Sequence, residues 1–95
     1  MTTDNTDIES DLAVHPGEFL AEEIAHRGMT QRALAGAMHR SAQVVNEIIR
    51  GKKSITADTA LALELALGIS ARTWLNLQVD YDLTLAIQRR ASLAI

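Results

Sequence analysis

The chain has no cysteine, one proline and only three aromatic residues in 95. Without cysteine there is no disulfide framework and no thiolate zinc site. β-branched runs are few and Asn-Gly or Asp-Gly turns are missing, which argues against strands and hairpins. No apolar run reaches 18 residues, and no basic-then-apolar leader opens the chain. These absences lead us to expect a soluble, cytoplasmic protein. Enzyme signatures are missing too, with neither a glycine-rich phosphate loop nor a nucleophile elbow. His15, His26 and His39 lack metal-ligand spacing, so no metal or cofactor is expected. The carboxylates fall mostly in the acidic start and on exposed faces, where solvation explains them better than acid–base work. The expectation is a protein that is not an enzyme.

What is present is alanine, leucine and unevenly placed charge. Hydrophobic residues make up 47% of the chain, ample for one small all-α domain of closely packed helices. Net charge is −3, but residues 1–25 hold seven carboxylates and no Lys or Arg. Residues 39–53 instead carry Arg40, Arg50, Lys52 and Lys53 against Glu47, a local +3. Local potential is what a phosphate backbone senses. The expected organisation is a flexible acidic segment over 1–14, a domain over 15–85 and a C-terminal tail over 86–95.

Five helices are predicted with short connections. Pro16 suits a first turn, and Phe19, Leu20 and Ile24 share one face before Gly28. Thr30, Ser41, Thr56 and Ser70 can each cap a following helix through a hydroxyl. Gly28, Gly51 and Gly68 are placed as stops. The second helix turns Leu34, Ala35 and Met38 inward, and small Ala35 permits close helix approach. His39-Arg40 form a turn. In the third helix Val45, Ile48 and Ile49 face inward, while Gln43, Asn46, Glu47 and Arg50 share the other face by the ~100° step per residue. The last helix carries Trp74, Leu77 and Tyr81, with its extent past Asp82 left open.

Two short helices joined by a tight turn, the second with polar side chains outward, have the layout of a helix-turn-helix. A helix fits the major groove, where each base pair shows a distinct donor and acceptor pattern. Gln43 and Asn46 can pair bidentately with adenine or bond singly to other bases. Arg50, Lys52 and Lys53, at the far end and in the loop, are placed for phosphates. Gln31, opening the second helix, can bond a phosphate that also meets that helix's N-terminal N–H groups. Val44 could touch a thymine methyl or sit at the core edge. The competing reading is an ordinary solvated face, against which the capped helix, Ala35, the turn and the basic loop weigh together.

Residues 15–83 resemble the HigA/VapI type of antitoxin among Cro- and repressor-like regulators. The resemblance rests on His15-Pro16-Gly17-Glu18, Leu34-Ala35, Val45-Asn46-Glu47-Ile48-Ile49-Arg50-Gly51-Lys52 and Ile55-Thr56-Ala57-Asp58-Thr59-Ala60. It continues through Leu67-Gly68-Ile69-Ser70, Trp74-Leu75-Asn76-Leu77-Gln78 and Tyr81-Asp82-Leu83. It implies a five-helix fold with a recognition helix over Ser41–Arg50, so that Ala42, Gln43 and Asn46 inherit the base-reading role, with Ser41 also against the DNA. It also implies a homodimer on a palindromic operator near its own gene, and neutralisation of a HigB-type mRNA-cleaving toxin. The turn departs from the family, which usually has glycine and then an apolar residue where this chain has His39-Arg40. Histidine tolerates positive φ better than most residues, and Arg40 exchanges a packing contact for a phosphate contact.

One recognition helix buries too little surface for tight specific binding, whereas two spaced ~34 Å apart would read a palindrome. Trp74, Leu77 and Tyr81 recur at helical spacing as a candidate dimer face, with Trp74 equally suited to its own subunit's core. An RNA-cutting toxin should be basic, so the acidic start is a plausible complement to it. Two alternatives stay open: a stand-alone regulator without a toxin, and a protein-interaction module that has lost DNA binding.

Overall fold

A computed structural model describes residues 12–93 and arranges them as five α-helices. They are α1 (Pro16–His26), α2 (Gln31–Met38), α3 (Ala42–Ile49), α4 (Ala57–Leu67) and α5 (Ala71–Leu93). No strand occurs among the described residues, and none of these helices is long and apolar enough to cross a membrane. Most of the expected acidic segment, residues 1–11, lies outside the described residues.

Local chemistry sets the helix ends. Thr30, Ser41 and Thr56 accept from Ala33, Val44 and Thr59 N–H at 3.0, 3.2 and 3.3 Å, each satisfying a donor that has no partner within the helix. Ser70 Oγ accepts from Thr73 N–H at 3.1 Å, and Glu64 of α4 accepts from Ala71 N–H at 3.0 Å. The last turn of α2 closes on His39 at φ 57°, ψ 43°, the left-handed conformation its place in the turn demands.

The core joins all five helices and the segment before α4 through Leu20, Ile24, Leu34, Met38, Val45, Ile48, Ile55, Leu63, Leu67 and Trp74. α3 packs on α1 and α2, and α5 on α1 and α4. Gln78 is a buried polar exception. Its Oε1 accepts from Ile55 N–H at 2.8 Å and its Nε2 donates to Asp82 at 3.0 Å. This ties the segment after Lys53 to α5.

Three residues seat α1. The cap of α1 is His15, whose Nδ1 accepts from Gly17 N–H at 2.9 Å. Pro16 occupies the first turn, where its missing N–H costs nothing. Gly17 lies against the end of α3; a Cβ there would overlap the Ile48 carbonyl and sit 3.0 Å from Ile49 Cα. The His15 ring also meets the Tyr81 ring edge-on at 4.8 Å.

Burial pushes the His15 imidazole below the ordinary histidine value of 6.5, against the opposing pull of the Asp82 and Glu18 carboxylates. The cap needs Nδ1 unprotonated, so the fold favours the neutral ring. The resulting stabilisation is fully present above pH 6.5 and is lost as pH falls through the lower folded value. The melting temperature is expected to drop over that interval, and to drop less for His15→Asn, which can cap but does not titrate. Identical pH profiles for the two proteins would sink this account.

Two points about α5 left open by the sequence become definite. The helix runs on to Leu93, so residues 86–93 continue it instead of forming a separate tail. Trp74 is fully buried against Phe19, with ring centroids 5.3 Å apart, and lies in the core of this chain, the second of its two readings. Leu77 and Tyr81 are half-buried and line a groove with Phe19, Pro16 and Val14.

Candidate nucleic-acid interface

The interface is built from α2, the His39-Arg40 turn, α3 and the loop after it. Leu34, Ala35 and Met38 bury one side of α2, and Val45 and Ile48 one side of α3. Burial of these faces fixes the orientation of the other side of α3. Ala42, Gln43 and Arg50 are exposed there, with Asn46 and Glu47 half-buried.

The two helices are also joined by a polar contact. Asn46 Nδ2 donates to Gln31 Oε1 at 3.1 Å, across fifteen residues of sequence. The contact orients both amides. Gln31 keeps its N–H groups for an acceptor such as a phosphate oxygen, and Asn46 keeps its carbonyl oxygen and one N–H for a base edge. Both residues were expected at the interface, but their coupling is visible only in three dimensions.

Other expected site residues divide by what they touch. Ser41 is exposed, yet its hydroxyl oxygen is occupied by the cap of α3. Val44 is half-buried against the core, as its core-edge alternative has it. Arg40 folds back, with Nη1 donating to the Met38 and His39 carbonyls at 3.3 Å each. It braces the turn while the residue stays exposed. Lys52 and Lys53 are exposed in the loop after Gly51, and Lys53 Nζ lies 3.9 Å from Glu47. Glu47 also accepts from Gln43 Nε2 at 3.4 Å. Glu47 was expected on this face, but its contacts with Gln43 and Lys53 were not.

Two short capped helices, a left-handed turn between them and an outward polar face on the second define a helix-turn-helix domain. A family model described as helix-turn-helix matches residues 20–74. Virulence-associated protein I of Dichelobacter nodosus is 48% identical over 84 residues, covering 87% of this chain and 78% of that protein. A solved addiction-module antidote protein of the HigA family from Coxiella burnetii superposes with a TM-score of 0.80 at 40% identity, over 84% of this chain and 88% of the other. Antitoxin HigA from Pseudomonas aeruginosa, solved with the higBA promoter, gives 0.81 at 36% identity, over 87% and 91%. The chain belongs to the HigA antitoxin family of helix-turn-helix proteins.

Proposed function

We propose that this chain is an autoregulatory antitoxin. As a homodimer it binds a palindromic operator through α3 and neutralises a HigB-type mRNA-cleaving toxin. The observation that carries the DNA reading is the pairing of Asn46 with Gln31 on the exposed side of α3, beside Gln43 and the basic loop. The Pseudomonas relative solved with its promoter supports it. Gln43 and Asn46 read bases. Gln31, Arg40, Arg50, Lys52 and Lys53 hold phosphates, and Ser41 and Ala42 lie at the helix end nearest the groove.

Dimerisation runs through α5. Its face opposite Trp74 carries Val79, Leu83 and Ile87 at four-residue spacing, all more than half exposed. Monomeric proteins rarely leave such a stripe in water. This moves the proposed contact away from Leu77 and Tyr81, which pack toward α1.

The test is a mobility shift with DNA upstream of the gene across a salt series. A salt-sensitive complex with two protomers per site is expected. Gln43→Ala with Asn46→Ala should abolish preference for that DNA, each change costing about 1–3 kcal/mol. Leu83→Asp should leave a monomer that binds far more weakly. Binding no better than to random DNA would favour the protein-interaction alternative.

For the toxin, the acidic first 25 residues offer charge complementary to an RNA-cutting partner. Deleting residues 1–13 is expected to weaken neutralisation in a growth-rescue assay and to spare operator binding. Full rescue by the truncated chain would reject that role.

A further inference from the structure

We propose that Glu47 determines specificity on the recognition surface: it holds the amide of Gln43 in the orientation that reads adenine, and it competes with phosphates for Lys53, weakening that contact on DNA of any sequence. The inference rests on the DNA-reading function proposed above.

Glu47 is the sole carboxylate between residues 39 and 53. It sits one helical turn after Gln43, on the same side of α3, and one of its oxygens faces Gln43 Nε2 at 3.4 Å. A carboxylate only accepts, so the nitrogen end of the Gln43 amide must face it. Gln43 then has one carbonyl oxygen and one N–H left for a base. Adenine offers the complement in the major groove, a donor at N6 and an acceptor at N7. Guanine offers two acceptors, N7 and O6, and the Gln43 oxygen would oppose one of them. A glutamine free to turn could give both N–H groups to guanine; one held by Glu47 cannot. Docking expels water from the groove, which strengthens this contact.

The second Glu47 oxygen lies 3.9 Å from Lys53 Nζ. Both side chains are substantially exposed, so the pair adds little to stability. Its consequence is for binding. The pair draws Lys53 toward α3, and the carboxylate repels phosphates wherever the protein lands. Specificity is a difference of affinities, and a repulsive element against unmatched DNA widens that difference.

The experiment compares the full chain with Glu47→Gln and Glu47→Ala. Each is selected against a randomised duplex library, and affinity for a mixed-sequence duplex is measured across a salt series. Wild type is expected to enrich adenine at one position of each half-site. Both variants should accept guanine there, with roughly tenfold less discrimination. They should bind mixed-sequence DNA more tightly, with a salt slope steeper by about one per protomer. Lys53→Ala should weaken mixed-sequence binding and keep the adenine preference. In a Gln43→Ala background, Glu47→Gln should leave base preference unchanged. An unaltered preference in both Glu47 variants, with wild type still enriching a motif, overturns the role of Glu47 alone. A wild type that enriches no motif overturns the DNA reading and this inference with it. Matched thermal melts establish that all variants are folded.

Discussion

Replacing Gly17 with alanine is expected to destabilise the protein by about 2 kcal/mol net and to abolish operator binding. The added Cβ would overlap the Ile48 carbonyl. That atom is backbone, so no rotamer change relieves the clash. Overpacking with nothing free to yield costs about 3 kcal/mol, the upper end of its usual range. Alanine's better helix propensity returns about 1 kcal/mol, and the steric cost wins. Relief requires α1 or the end of α3 to move, and α3 carries Gln43 and Asn46. Urea denaturation measures the first effect. A mobility shift in buffer, where the variant remains mostly folded, measures the second. A stability change below about 0.5 kcal/mol, within the range of an ordinary surface substitution, would mean that α1 and α3 do not meet this tightly.

Trp74→Ala is expected to cost about 3–5 kcal/mol, the range for deleting a buried aromatic. A small domain commonly has about 5–15 kcal/mol in all, so this variant should be partly unfolded at growth temperature. Trp74 is fully buried, and its Nε1 finds no hydrogen-bond partner among the described residues. An unsatisfied buried donor costs about 1–3 kcal/mol. Trp74→Phe removes that donor and keeps an aromatic ring beside Phe19, so it should lose well under half as much as alanine. Far-UV circular dichroism melts separate the two. Equal losses would show that the indole nitrogen carries no penalty.

Punctuation was the most legible part of the chain. Thr30, Ser41, Thr56 and Ser70 cap as their side chains allow, and Gly28, Gly51 and Gly68 all adopt positive φ. His39 takes the left-handed turn that a histidine can accept. Contacts between distant residues were less legible. Nothing near Gly17 in sequence points to Ile48, and nothing near Gln31 points to Asn46. The motifs behind the family resemblance acquire reasons only in three dimensions. His15-Pro16-Gly17 seats α1 on α3, and Gln78 anchors Ile55. Trp74 was ambiguous because a large aromatic on an amphipathic helix suits a core and an interface alike. The length of α5 was hidden because Asp80, Asp82, Gln88, Arg89 and Arg90 interrupt the apolar rhythm on which helix prediction depends.

That length has its own consequence. α5 spans 23 residues, roughly 35 Å at the usual rise, yet its buried side chains, Trp74 and Gln78, both lie in its first third. Isolated helices shorter than about 12–15 residues are marginal in water. The stretch beyond Asp82 therefore draws on its own propensity and on continuation from the anchored turns. Amide protons in one helix should then exchange on two clocks: slowly near Trp74, where exchange needs global unfolding, and quickly toward Leu93, where fraying suffices. Any surface that covers the outer turns would slow the second clock toward the first.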